Sequence, residues 1–127
     1  MDNFRIKGNK LFVDFEPFSE LSEMSKQCYY LLDSEYENIE IYFSDTVFFL
    51  GSNYIGVLMM TAAIAKIRKK SLRISCTNRL AKMLNIIAGS TLFLTIIEDG
   101  ALVFDIREDF IEDASSYSSL GNDNNLT

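Results

Sequence analysis

The chain has no histidine and no tryptophan, and among its 127 residues it has one proline and two cysteines. Without histidine, a Ser-His-Asp or Cys-His catalytic arrangement cannot form, and no imidazole is present to bind zinc. The sequence also lacks the glycine patterns of phosphate-binding loops and of dinucleotide-binding folds. These absences predict a protein that is not an enzyme and that needs no metal ion or other cofactor.

Long apolar runs and export signals are absent as well. No positively charged start is followed by an apolar stretch, and Lys66 interrupts the longest helical apolar run. The cysteines, Cys28 and Cys76, each lie in an apolar segment, which predicts buried free thiols rather than a disulfide or a metal site. We therefore expect a soluble cytoplasmic protein without direct membrane insertion.

Negative charge is missing from the middle of the chain, although the formal net charge is −6. The excess of acid argues against nucleic-acid binding, which needs surplus Lys and Arg. Between Thr46 and Ile97 no Asp or Glu occurs, and the basic residues of this stretch are Lys66, Arg68, Lys69, Lys70, Arg73, Arg79 and Lys82. Two interpretations stay open: a positive region of the surface, or basic residues in the last turn of a helix that complement its dipole.

Apolar patterning divides the chain into eight elements in the order β-β-α-β-α-β-α-β. The predicted strands are 4–7, 11–15, 38–43, 72–76 and 92–97, with Gly8-Asn9 as a hairpin turn between the first two. The predicted helices run from Ser19 to about Asp33, from Gly51-Ser52-Asn53 to about Lys70, and from Arg79 to Ala88. Ser19 and Asn78 are the predicted N-caps, and Gly89 is expected to end the third helix.

This order predicts an α/β fold with a small mixed, mostly parallel sheet and helices packed mainly on one side. Residues 1–117 are expected to form one domain, and 118–127 a mobile tail that has little to bury. Near the end, 101–106 alternates like a strand and favours a hairpin with 92–97, whereas 108–114 is compatible with a short helix.

Two groups of side chains, and Tyr54, have competing interpretations. Asp14 with Glu16, or Asp45 with Asp99, can be read as paired carboxylates or as solvated strand ends. The apolar run Val47 to Leu50 can form a binding surface or core; in an extended segment Phe48 and Phe49 point to opposite sides, so at least one is expected in the core. Tyr54 is either an exposed contact residue or part of the core.

The stretch from Ile39 to Ile97 resembles the STAS family, named for sulphate transporters and anti-sigma factor antagonists. In that family a strand leads into Asp-Ser-Ser-Gly-Leu-Gly at a helix start, followed by a basic helix end, a strand, an Asn-Pro-like cap and a helix that ends in Gly. The matching segments here are Gly51-Ser52-Asn53-Tyr54-Ile55-Gly56, Ile67-Arg68-Lys69-Lys70, Leu72 to Cys76, Thr77-Asn78, and Leu84 to Gly89.

The resemblance implies a regulatory protein that binds a serine kinase or anti-sigma-like partner, with a cognate phosphatase, through Gly51 to Gly56. Ser52 occupies the place of the serine that such kinases phosphorylate in many members. A helix N-terminus stabilises an added phosphate, although a serine there can also serve as a cap alone. Gly51, Asn53 and Tyr54 replace the family's Asp, Ser and Gly, which implies either a changed partner surface or a domain that is no longer phosphorylated.

A second interpretation comes from the same resemblance. STAS-like domains also accompany transport systems, and the basic stretch from Lys66 to Lys82 would suit a small anionic ligand or a transporter subunit. The alternative function is therefore an accessory domain of a transport system.

Overall fold

A computed structural model of the chain describes residues 3–88 and 102–107. It begins with a hairpin of β1 (Phe4–Lys7) and β2 (Lys10–Val13), paired antiparallel. Gly8 has φ +63° in the two-residue loop, where glycine meets no steric penalty. The predicted hairpin is confirmed, but β2 ends two residues early because the buried Asn3 side chain hydrogen-bonds both N–H and C=O of Phe15.

The first helix, α1 (Leu21–Leu32), turns Met24, Cys28, Leu31 and Leu32 inward. The prediction of Ser19 as its N-cap is wrong: Ser19 has φ +55°, and Glu20 is the N-cap residue without a side-chain capping bond. Glu20 Oε1 instead accepts from Asn3 Nδ2 at 3.2 Å.

The central part of the chain follows the predicted order. It forms β3 (Asn38–Phe43), α2 (Ser52–Ile67) and β4 (Ser71–Thr77). The helix ends before Lys70 because Lys69 takes a left-handed conformation, with φ +59°. Lys70 N then donates to Ala65 O and Lys69 N to Lys66 O, which is the pattern of a Schellman motif.

The third helix, α3 (Asn78–Ala88), is followed by β5 (Leu102–Arg107). The prediction of Asn78 as its N-cap is wrong by one residue, since Thr77 Oγ1 accepts from Leu80 N at 3.2 Å. The predicted segment 101–106 is thus a strand. The predicted strand 92–97, its hairpin with that segment, the Gly89 terminator, the helix 108–114 and the tail 118–127 lie outside the described residues.

The described strands form one sheet in the order β1-β2-β3-β4-β5, with every pair after the first parallel. Leu11, Ile41 and Ile74 share one register row and are completely buried. All three helices contact strands, and α2 also contacts both other helices, so they cover the same side. The predicted mixed, mostly parallel α/β fold is confirmed.

The opposite face of the sheet carries aromatic rings and arginines. Phe12 and Tyr42 are cross-strand neighbours with ring centroids 5.3 Å apart. The Arg5 guanidinium lies 4.9 Å from the Phe12 centroid, and that of Arg107 lies 4.3 Å from the Tyr42 centroid. On this face arginine side chains cover the rings, whereas helices cover the other face.

Candidate functional site

The start of α2 presents two polar side chains to solvent. Gly51 is the N-cap residue, and Ser52 and Asn53 are the first helical residues, both exposed. Gly51 O accepts the first helical hydrogen bonds, from Tyr54 N at 3.0 Å and from Ile55 N at 3.1 Å. Ser52 makes no capping bond. The interpretation of Ser52 as a cap is therefore wrong, and its hydroxyl lies at the surface beside the N–H groups of the first turn.

Two of the predicted partner-binding residues face inward instead. Ile55 is 3% exposed and Tyr54 is 8% exposed. The Tyr54 hydroxyl accepts a hydrogen bond from Glu20 N at 2.7 Å, and its ring lies 3.6 Å from a Cβ placed on Gly51. Tyr54 is thus no surface contact; it joins the start of α2 to the start of α1.

The loop before α2 exposes both of its phenylalanines. Phe48 is 38% exposed and Phe49 is 50% exposed, whereas Val47 and Leu50 are buried. The expectation that at least one of the two phenylalanines lies in the core is wrong. The segment is not an extended strand: Val47 N donates to Ser44 O in a turn, so the inward positions are three residues apart instead of two.

A second loop, between β2 and α1, exposes two more phenylalanines: Phe15 is 56% and Phe18 is 71% exposed. We call Phe15, Phe18, Phe48 and Phe49 the aromatic rim. Hydrogen bonds hold the two loops together, because Glu16 Oε2 accepts from Phe48 N at 3.0 Å. The hydroxyl of Ser44 also donates to Asp14 O at 2.7 Å.

Sequence reasoning missed half of this rim, since Phe15 was assigned to β2 and Phe18 received no role. Pro17 between them predicts the end of β2, because proline cannot donate to a sheet ladder, but it does not show that the strand already ends at Val13. The rim follows the carboxyl ends of β2 and β3, the edge at which α/β sheets commonly bind ligands.

Three of the basic residues make contacts at two separate places. At the end of α2, Arg68 forms an ion pair with Asp33 at 2.6 Å, and Lys70 Nζ donates to the carbonyl oxygens of Ser34 and Tyr36. These contacts tie α2 to the end of α1. At the other edge, the Arg79 guanidinium lies 4.9 Å from the Phe48 ring centroid. Positive charge therefore adjoins the aromatic rim at Arg79, whereas Arg68 and Lys70 have structural partners at the end of α1.

The acidic side chains considered as pairs have separate partners. The Arg5 guanidinium hydrogen-bonds Asp14 at 2.8 Å and thereby lowers the pKa of that carboxyl. Glu16 accepts from Phe48 N, and Asp45 pairs with Arg107 at 3.0 Å. Asp99 lies outside the described residues. Each described carboxylate is thus held by a donor of its own instead of by a second carboxylate.

Both cysteines are buried free thiols, as predicted. Burial raises the pKa of Cys28 to about 11, and a hydrogen bond with Thr61 opposes that shift only in part. Because the thiolate is the reactive form, Cys28 is poorly suited to act as a nucleophile at neutral pH. Its place in the core is structural.

A scan against protein-family models finds no match to this chain, and a search of curated proteins finds none either. Within residues 3–88 and 102–107, every helix is too short or too polar to cross a bilayer. The candidate functional site consists of the exposed Ser52, the aromatic rim beside it and the two loops that hold them.

Proposed function

We propose that this chain is a non-enzymatic regulatory protein of the STAS type, similar to anti-sigma factor antagonists, and that it acts in the cytoplasm. It binds a serine kinase or anti-sigma-like partner through the start of α2, and phosphorylation of Ser52 switches this binding. The observation that carries the proposal is an exposed serine in the first turn of a helix, beside a rim of exposed phenylalanines.

The aromatic rim supports a protein partner. Each of its four side chains leaves between 38% and 71% of its surface in water. Large aromatic residues dominate binding energy at interfaces, whereas isolated exposed ones need no explanation. Here two loops held together by hydrogen bonds present four of them at one edge of the sheet, which favours an interface over chance exposure.

The position of Ser52 supports control by charge. Its hydroxyl is at the surface and is not used as a cap, so a kinase could reach it without opening the helix. A phosphate adds about −1.5 to −2 charge units, which the free N–H groups and dipole of the first turn accommodate. The same charge opposes an apolar or acidic partner surface, so phosphorylation and binding exclude one another.

The switch is tested with Ser52→Asp and its uncharged counterpart Ser52→Asn. The partner is first identified by affinity capture from the native cell and mass spectrometry, which also reports phosphate on Ser52. Calorimetry against that partner then compares the variants. Ser52→Asp should weaken binding at least tenfold, whereas Ser52→Asn should bind within about twofold of the unmodified chain. Equal affinities for the two variants would remove the switch from the proposal.

The interface is tested separately with Phe49→Ser and a matched control, Ile67→Ser. Ile67 is 78% exposed at the opposite end of α2, so both changes remove an exposed apolar side chain. Phe49→Ser should weaken partner binding at least tenfold with an unchanged melting temperature, and Ile67→Ser should leave the affinity as it is. If both variants bind normally, the rim is not the interface. Capture of a transporter subunit instead would favour the accessory-domain alternative.

A further inference from the structure

The outer face of α2 lacks the polar side chains that a solvent-facing helix normally carries. From Ser52 to Ala65 the helix contains no charged residue. Ile55 and Leu58 are buried against the rest of the fold, yet Met60 on the outer side is 57% exposed. A helix that is apolar on all sides is usually covered on all sides. The sequence of α2 therefore implies a covering group that the described part of the chain does not supply.

The uncovered face lines a groove of about 760 Å³ between α1 and α2. This volume lies within the range of small-molecule sites. The helices are parallel, since each connects two neighbouring parallel strands of the sheet. Both begin at the same end of the groove, and the Tyr29 hydroxyl meets Met60 Sδ at 3.8 Å farther along.

Polarity changes along the groove. At the end where both helices begin, Leu21 lines the groove together with four polar side chains: Ser22, Ser25, Lys26 and Asn53. Farther along, they are largely apolar: Tyr29, Leu32, Met60 and Ile64. Lys26 is exposed and is the only charged residue among the described residues that line the groove. A fitting occupant has a negative head and an apolar tail.

We propose that this groove binds the anion of a free long-chain fatty acid. The carboxylate lies at Lys26 and the neighbouring serine hydroxyls, and the alkyl chain follows α2 past Val57 and Met60 towards Ile64. From Asn53 to Ile64 the helix rises about 16 Å, which matches an extended chain of roughly 12 carbons. The proposal goes beyond partner switching and does not depend on it, because the bare protein is sufficient for its test.

Gly56 leaves space for a ligand on the α2 side of the groove. A Cβ placed on Gly56 meets no atom within 4 Å, so the space above the helix there is open. Gly56 and Asn53 also belong to the predicted partner surface, which places the polar end of the groove next to Ser52. An occupied groove would therefore change the surface that a partner meets.

The test is a titration of the protein, labelled with ¹³C at its methionine methyl groups, with monomeric dodecanoate. Met60 lines the groove, whereas Met24 is completely buried in the core and Met83 lies on α3. A saturable shift of the Met60 signal, with Met24 and Met83 unmoved, is the expected result. No saturable shift, or shifts of all three signals as in detergent binding, would overturn the proposal.

Two changes examine the head and the tail. Lys26→Glu should weaken dodecanoate binding at least tenfold, whereas Lys82→Glu, an exposed lysine on α3, should change it less than twofold. Gly56→Leu should abolish the Met60 shift while the melting temperature stays the same or rises. Equal binding of the dodecyltrimethylammonium cation, or full binding by Lys26→Glu, would show that no anion site exists and would refute the proposal.

Discussion

Tyr54 shows how one hydroxyl group can fix the positions of two helices. Its ring belongs to the core, and its oxygen accepts the N–H of Glu20, the residue immediately before α1. No side chain caps α1, so Tyr54 satisfies a backbone donor at the same place from another helix. Because Tyr54 lies two residues after Ser52, this contact also fixes the candidate site relative to the loop of Phe15 and Phe18.

Tyr54→Phe should therefore lower the free energy of unfolding by about 1 kcal/mol, because the partly buried Glu20 N–H loses its acceptor while the ring packing stays. Urea unfolding measures the change. Tyr30→Phe is the matched control: Tyr30 is 63% exposed and its hydroxyl makes no hydrogen bond within the described residues. Equal stability of the two variants would mean that the Tyr54 hydroxyl contributes nothing.

Cys28 should make stability depend on alkaline pH. Burial raises its pKa to about 11, so above the usual pKa near 9 the unfolded chain ionises this thiol before the folded one does. The stabilisation is complete below pH 9 and is lost as pH rises towards 11. Urea unfolding should show that the free energy of unfolding of the native chain falls by up to about 3 kcal/mol more than that of Cys28→Ala between pH 9 and 11. If the free energies of unfolding of the two proteins change with pH in parallel, the Cys28 thiol does not cause the pH dependence.

At the scale of elements, the end of α2 contains a residue in an unfavourable conformation. Lys69 adopts φ +59° at the position of the Schellman motif where glycine is usual. A Cβ in the left-handed region costs free energy, and glycine avoids that cost. The hydrogen bonds of Lys69 and Lys70 to Lys66 and Ala65 keep this conformation in place.

Lys69→Gly should raise the free energy of unfolding by about 0.5–1 kcal/mol. The substitution removes the steric cost of the Cβ, and this gain exceeds the loss from the greater conformational freedom of glycine in the unfolded chain. Lys69→Ala is the control, because it removes the same charge but keeps the Cβ. Thermal unfolding of both variants decides the matter. A gain from alanine as large as that from glycine would assign the effect to charge instead of backbone conformation.

Elements with simple alternation could be predicted from the sequence, and their ends could not. The predicted bounds of β1 and β3 agree with the structure to the residue, because apolar and polar side chains alternate there. The end of β2 depends on Asn3, and the start of α3 on Thr77. A side chain's choice of hydrogen-bond partner is set by tertiary structure, which local patterns do not contain.

The candidate site shows the same limit. The exposed start of α2 at Ser52 followed from the helix pattern, whereas the directions of Phe48, Phe49 and Tyr54 did not. An extended segment alternates its side chains and a turn does not, so the turn at Ser44 reversed the expectation for the phenylalanines. For Tyr54, the deciding contact is a backbone N–H that lies 34 residues earlier in the chain.

For the whole molecule, Arg107 connects the last described strand to the middle of the sheet. Its guanidinium stacks on Tyr42, pairs with Asp45 and donates to Ser75 Oγ and to the Phe43 carbonyl. These contacts reach β3 and β4 from β5. The Arg107 side chain is 21% exposed, so most of it is shielded from water.

Arg107→Lys should destabilise the protein by about 1–2 kcal/mol, because lysine keeps the charge but cannot stack flat on a ring while donating to several acceptors. Arg73→Lys is the control on the same face of the sheet, since Arg73 makes no hydrogen bond or ion pair within the described residues. In unfolding by guanidinium chloride, the free energy of unfolding of Arg73→Lys should stay within about 0.5 kcal/mol of that of the native chain. Similar losses from both changes would argue against a special role for Arg107.

The sequential strand order has a consequence for synthesis of the protein. Strands β1 to β5 pair in chain order, so each new strand meets a finished neighbour as it leaves the ribosome. The sheet can therefore grow at one edge without rearranging earlier pairs, and domains commonly fold as the chain emerges. Until residues 102–107 are made, β4 offers an unpaired edge to other nascent chains. Translational pauses between β4 and β5 would thus be the interval most prone to aggregation.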